Sequence, residues 1–266
     1  MKLTFLGSCS GTEPMPGRFH TSYVVEHRGG IYWFDAGEGC SYNAHLIGID
    51  LLAIRSLCFS HCDYDHVGGL VGLLATIRKL EGRNDDPARS IAGRTVPVRI
   101  PDLRVWHGAL DVLQGPAEDL LLPFESEAGT YADGTIIHLD GLKVTALHNE
   151  HLGKPARGKS WQSFSFRIAT AGRAIVSSGD IKHVSEAIPL MGDGCDLFIM
   201  ETGHHQVDEV CTYLVENNAP FERLGFFHHG RAILADAEGE LEKAKSIVGD
   251  RVFIADDGMT IGLEGS

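Results

Sequence analysis

The chain has 266 residues, 43% of them hydrophobic, enough to bury a full core as one large domain or two small ones. With 23 basic against 36 acidic residues its formal net charge is −13, which argues against non-specific affinity for extended nucleic acid, because neutralising phosphates is what supplies that affinity, and leaves room only for a local basic patch. No apolar run approaches bilayer length, the start of the chain reads as a strand and not as a leader, and Cys9, Cys40, Cys58, Cys62, Cys195 and Cys211 lack CxxC spacing. A cytoplasmic protein with reduced thiols and no membrane partner is therefore expected.

In chain order, strand-like runs rich in β-branched and aromatic residues fall at 2–7 (KLTFLG), 22–27 (SYVVEH), 31–37 (IYWFDAG) and 54–60 (IRSLCFS). A helical period follows over 68–81, then a polar stretch at 81–94 that reads as a surface excursion. Next come a strand at 96–100, a helix over 103–114, a second excursion at 123–134, and strands at 141–148, 163–169 and 173–180. The last part alternates a helix (183–191), a strand (195–201), a helix (206–218), a strand (223–229), a helix (232–247) and a strand-like run at 251–263. Two clusters of strands interleaved with helices predict an α/β chain with two sheets covered by helices, rather than one open doubly wound sheet. No linker-like stretch divides it, so one domain over 1–266 is expected.

Reactive residues collect at the ends of these strands. Asp35 ends IYWFD, His61 follows LCFS, His148 and His151 follow KVTAL, Asp180 ends SSGD, Glu201 ends LFIME, and His228 and His229 end LGFF. Strand C-terminal ends in mixed α/β folds point to a shared crevice. The densest of these segments is SHCDYDHVGGL (60–70). Alternate residues of an extended segment face the same way, so His61 and Asp63 can grip one ion while Asp65 and His66, past the turn, present to a second. Two nearby ions need a bridging carboxylate and further nitrogen ligands, which Asp180, His151 or His148, and His228 or His229 can supply. Gly68 and Gly69 are expected to let the backbone turn into the next helix. Cys62, by the same alternation, points away from the metals. The basic loop GKPARGKSWQ (153–162) offers Lys154, Arg157 and Lys159 to a phosphate and Trp161 as a stacking face, against the plainer alternative of a solvated loop.

DAGEG (35–39), HCDYDHVGG (61–69), a His before SFSFRI, SSGD (177–180) and FFHHG (226–230), in that order, resemble the metallo-β-lactamase-fold hydrolases. The opening MKLTFLGSCSGTEP is most similar to their ribonuclease Z and cyclic-nucleotide phosphodiesterase branch. The resemblance implies a four-layer αββα sandwich of two mixed β-sheets flanked by helices, with a dinuclear centre. It places His61, Asp63 and His151 on one ion and Asp65, His66 and His228 on the other, with Asp180 bridging and Asp35 supporting the ligands; Asp65 and Asp180 thereby count among the catalytic residues. METGHHQ (200–206) lies where relatives carry acid/base groups, so Glu201, His204 or His205 is a candidate to protonate a leaving group; the alternative is a polar helix start. The usual loop is His-x-His-x-Asp-His, and here Asp63 replaces the second His. Three carboxylates make the centre harder, so two divalent ions are expected, zinc first, with manganese or iron as alternatives.

The resulting expectation is a hydrolase in which a hydroxide bridging two metal ions attacks phosphorus, with a small-molecule or nucleotide phosphodiester as substrate. The rival enzymes are a ribonuclease Z-like RNA processor and a lactonase or thioesterase of the same fold. From another class, the chain could be a metal-holding regulatory module without turnover. A homodimer is left open.

Overall fold

Runs rich in β-branched and aromatic residues form strands, and stretches of period 3.6 form helices, in a computed structural model that describes residues 1–115 and 122–263. In chain order the strands are β1 (Lys2–Gly7), β2 (Ser22–His27), β3 (Gly30–Phe34), β4 (Ile54–Cys58), β5 (Thr95–Arg99), β6 (Glu125–Gly129), β7 (Gly134–Leu139), β8 (Leu142–His148), β9 (Phe164–Thr170), β10 (Arg173–Ser177), β11 (Cys195–Thr202), β12 (Phe221–His229), β13 (Val252–Ile254) and β14 (Thr260–Gly262). The helices are α1 (Cys40–Leu46), α2 (Tyr64–Val67), α3 (Leu70–Glu81), α4 (Leu103–Gln114), α5 (Ile188–Met191), α6 (Val207–Glu216), α7 (Arg231–Ala235) and α8 (Ala237–Val248).

The chain divides into two compact units, one of Met1–Gly7, Gly17–Tyr131 and Asp257–Gly262, the other of Ser8–Pro16, Ala132–Asp256 and the end from Leu263. The first holds a seven-stranded mixed sheet in the order β14-β1-β2-β3-β4-β5-β6, antiparallel from β14 to β3 and parallel from β3 to β6. Its core gathers Trp33, Leu57, Phe59 and Trp106 with the inner face of α3. That face is Leu70, Leu73, Leu74 and Ile77, the i, i+3, i+4, i+7 stripe that buries one side of a helix, each side chain contributing about 1.5–3 kcal/mol relative to exposure.

The second unit holds a sheet in the order β13-β12-β11-β10-β9-β8-β7, parallel from β10 to β13 and antiparallel from β7 to β10. Phe198, Met200, Leu224 and Phe226 pack there with Val207, Val210, Cys211 and Leu214 of α6. Helix α8 starts where the Asp236 carboxylate accepts the Gly239 N–H, which separates it from α7.

Several boundaries differ from the sequence expectation. The stretch 123–134 is not a plain excursion: it contains β6 and the first residue of β7, and both are edge strands. An edge strand faces one neighbour and stays half wet, so it lacks the alternation that marks interior strands. The run at 251–263 splits into β13 and β14, which join different sheets. The helix expected over 183–191 shortens to a 3₁₀ turn, Val184–Glu186, followed by α5. Helix α1 was not expected, because its buried residues Cys40, Ser41, Asn43 and Ala44 form no apolar stripe. Among the described residues no helix is long and apolar enough to cross a membrane. All six cysteines are free thiols. Cys62 packs against the core of the first unit, where burial pushes its thiol up to about 12.

Candidate metal centre

In the first unit the loop after β4 is built around Asp35. This residue follows β3 with φ 52°, a left-handed conformation that costs a non-glycine residue on the order of 1–3 kcal/mol unless its surroundings hold it there. They do: the Asp35 carbonyl accepts the Ser22 hydroxyl and the Trp33 indole N–H, both at 2.7 Å. Its carboxylate accepts the Ser60 N–H at 2.7 Å and the Ser60 hydroxyl at 2.8 Å, and lies 2.9 Å from His66 Nδ1. A proton on Nδ1 aimed at a carboxylate makes Nε2 the lone-pair nitrogen of His66. That Nε2 stands 3.6 Å from an Asp65 oxygen. His61 repeats the arrangement, with Nδ1 at 3.0 Å from the Ser60 hydroxyl and Nε2 at 3.6 Å from Asp63 Oδ2. The two buried imidazoles lie 3.9 Å apart between centroids. Asp63 occupies the N-cap position of α2, yet its side chain makes no capping bond. Gly68 and Gly69 both have right-handed helical angles, so they do not supply an unusual turn. Gly69 is needed instead for close approach, since a Cβ there would meet the Gly37 carbonyl oxygen at 2.2 Å.

The second unit assembles histidines around Asp180, which follows β10 and is buried. One oxygen, Oδ2, lies 3.3 Å from His228 Nε2, 3.8 Å from His151 Nε2 and 3.8 Å from His204 Nδ1. His228 reaches it through a bulge: Glu201 pairs with Phe227 and Thr202 with His229, so His228 is the extra residue, at φ 51°. Gly203 makes room, as a Cβ there would fall 2.7 Å from the His228 ring. His229 is placed differently, its Nε2 at 2.7 Å from the Ala255 carbonyl oxygen. His148 likewise turns from Asp180 to Asp133, with its N–H and Nδ1 each 2.7 Å from that carboxylate, and its ring stacks on Trp161.

Glu201 is fully buried at the end of β11 and accepts the His204 N–H at 2.9 Å, with His204 Nδ1 at 3.1 Å. Burial works to raise its carboxyl, but His204 and, at 3.8 Å, His228 outweigh that and hold it down at about 2. The bond to Glu201 raises the His204 imidazole in turn, against burial. His204 remains half exposed, whereas His205 is tied by Nε2 to the Ile181 carbonyl oxygen at 3.0 Å. In the basic loop, Lys154 is paired with Glu150 at 3.1 Å while Arg157 and Lys159 are exposed. Sequence reasoning passed over Ser60 and Ser178. Ser178 accepts the Glu201 N–H at 3.0 Å, and the only signal for either serine was its place beside a ligand candidate.

The sequence profile of the Metallo-beta-lactamase superfamily matches residues 15–145, which include the whole 60–70 loop. Over that stretch the chain is similar to the metallo-beta-lactamase superfamily. Ribonuclease Z of Clostridium beijerinckii is 29% identical over 136 residues, covering 50% of this chain and 43% of that enzyme. The chain spans less than half the length of the curated relatives it matches. Among solved structures, the short form of human tRNase Z superposes with a TM-score of 0.72 at 20% identity, covering 99% of this chain and 100% of that one. A diphosphatase of the PhnP family gives a TM-score of 0.65 at 17% identity over 99% and 98% of the two chains. These likenesses establish the fold, two mixed seven-stranded sheets flanked by helices as in the family's αββα sandwich.

The fold implies divalent metal ions, and the donor chemistry fits them. Asp180, His204 and His228 offer ligand atoms that all lie within 4.8 Å of one another. The 3.3–3.8 Å separations around Asp180 Oδ2 are long for hydrogen bonds. They are close to the roughly 3.3–3.6 Å that separates ligand atoms around a tetrahedral zinc ion. The donors are imidazole nitrogen and carboxylate oxygen without thiolate, a set suited to Zn²⁺, Mn²⁺ or Fe²⁺.

Proposed function

We propose that this metallo-β-lactamase-fold hydrolase cleaves phosphodiesters of nucleotide origin, either as a nuclease of the ribonuclease Z kind or as a phosphodiesterase on smaller nucleotide esters. The observation behind it is the set of imidazoles gathered on Asp180 in a chain whose curated relatives are named Ribonuclease Z. Those relatives favour the nuclease over the small-ester enzyme, and they weigh against the expectation from net charge that extended nucleic acid is no partner.

By the family's ligand pattern we assign His61, Asp63 and His151 to one divalent ion, Asp65, His66 and His228 to a second, and Asp180 to both, within one domain over 1–266. When bound, such ions supply Lewis-acid charge and an activated water near neutral pH. The rest is the work of the chain. Asp35 keeps the proton on His66 Nδ1 and so presents Nε2 as a ligand. Glu201, sealed from solvent, orients His204, whose half-exposed ring is the group we assign to protonate the leaving oxygen. His205, fixed on Ile181, steadies that turn. Arg157 and Lys159, and Lys154 when released from Glu150, balance the phosphate charge.

A short RNA and bis(p-nitrophenyl) phosphate are expected to be hydrolysed faster than nitrocefin or an acyl-homoserine lactone at equal concentration. Faster lactone or β-lactam turnover would move the chain to the rival enzyme class, and metal content without any turnover would make it a regulatory module. Asp63 allows a second check. Reconstituted from chelated apoprotein, Asp63→His should keep its metal and shift its activity ratio towards Zn²⁺ over Mn²⁺, because imidazole replaces a harder oxygen. Asp63→Ala should lose metal and roughly 10–100-fold or more of the rate. Normal metal content and turnover in Asp63→Ala would remove that residue from the centre.

A further inference from the structure

The second unit carries a feature that the metal ligands do not use. His148, the last residue of β8, and Trp161, in the loop before β9, stack ring on ring, with centroids 4.0 Å apart and planes 20° from parallel. The imidazole is fixed in its plane, since both its backbone N–H and its Nδ1 lie 2.7 Å from the Asp133 carboxylate. The pair is not core filling. His148 keeps 35% of its side-chain surface and Trp161 is half-buried, whereas the other two tryptophans, Trp33 and Trp106, are fully buried. His151, which lies 3.8 Å from Asp180, is three residues along the chain, so its Cα is at most about 10–11 Å from that of His148. A nucleoside attached to a phosphate spans a distance of that order. Arg157 and Lys159 lie exposed in the loop that leads to Trp161.

We propose that the stacked rings of His148 and Trp161 form a platform for the planar base of a nucleoside attached to the scissile phosphodiester. This rests on the proposed phosphodiester hydrolysis and names its substrate class: an ester carrying a nucleobase beside the bond that is cut. Every base has a π-face, so the platform selects ring-bearing over ringless esters without choosing one base. The alternative is that Trp161 only covers His148.

The test uses the full chain and two readouts. In the first, tryptophan fluorescence is titrated with adenosine 5′-monophosphate and, separately, with ribose 5-phosphate. Trp33 and Trp106 are sealed from solvent, so quenching by the ring-bearing ligand alone reports Trp161. In the second, kcat/KM is compared for thymidine 5′-(p-nitrophenyl phosphate) and methyl p-nitrophenyl phosphate, which share a leaving group. The preference for the nucleoside ester is expected to fall about tenfold or more in Trp161→Ala and to survive mostly in Trp161→Phe, which keeps a stacking ring. An unchanged preference in Trp161→Ala, or equal responses to the two phosphates, would overturn the platform. Quenching by adenosine 5′-monophosphate in a wild-type protein that cleaves neither ester would uphold the platform and overturn the hydrolase instead.

Discussion

Asp180→Asn is expected to lose metal and to reduce phosphodiester hydrolysis by at least about a hundredfold. One oxygen of this buried carboxylate faces three imidazole nitrogens, from His228, His151 and His204, at 3.3–3.8 Å. An anion at that point attracts a cation, and the gaps admit one. The amide keeps the shape but removes the charge, and its NH₂ group can turn a donor towards the His151 and His228 nitrogens, the two of the three assigned to metal. In the apoprotein the removal of a buried charge favours stability, while the loss of its attraction to the neighbouring imidazoles opposes it, so the thermal midpoint is expected to move far less than metal content or rate. Three measurements on one sample separate the outcomes: metal content after reconstitution, kcat on bis(p-nitrophenyl) phosphate, and the thermal midpoint of the metal-free form. If Asp180→Asn kept both its metal and its turnover, the assignment of this carboxylate to two ions would be wrong.

Asp180 and His228 were legible as candidates because each stands at or just past the end of an interior strand whose apolar run is plain to see, RAIVS and LGFF, whereas Asp63, Asp65 and His66 stood out only by their crowding, in the loop and short helix after β4. Choosing within the neighbouring histidine pairs was a matter of backbone geometry. His228 and His229 are both buried, and what separates them in the structure is a bulge against Glu201 and Thr202, an irregularity with no composition of its own. His148 and His151 differ by the position of Asp133, which lies in a stretch taken for a surface excursion because the strands around it, β6 and β7, are half-wet edges. Gly69 looked like a turn and proved to be a place where the chain leaves no room for a Cβ, a tertiary contact that no local pattern announces. The two serines at 60 and 178 could not be told from any others, since a hydroxyl becomes informative only once its partners are known.

Asp35 should divide stability from metal binding when it is replaced in two ways. In Asp35→Ala the Ser60 N–H, the Ser60 hydroxyl and His66 Nδ1 all lose a buried acceptor, at about 1–3 kcal/mol for each group left unsatisfied. Alanine also tolerates the left-handed φ of 52° less well than aspartate does. At about 2–4 °C per kcal/mol for a protein near this size, a fall of roughly 10 °C or more in the apoprotein midpoint is expected, together with loss of metal. In Asp35→Asn the left-handed angle is tolerated and one oxygen remains for Ser60, so the midpoint should move much less. The amide's NH₂ group, however, then faces His66 Nδ1. That favours the tautomer with its proton on Nε2, the nitrogen that must hold the ion, and metal affinity should fall by roughly 10–100-fold. Chelator competition measures the affinity, and thermal unfolding of the metal-free protein measures the stability. Equal damage to both quantities in Asp35→Asn would make Asp35 a purely structural anchor. A loss confined to affinity would show that its carboxylate acts by fixing where the His66 proton sits.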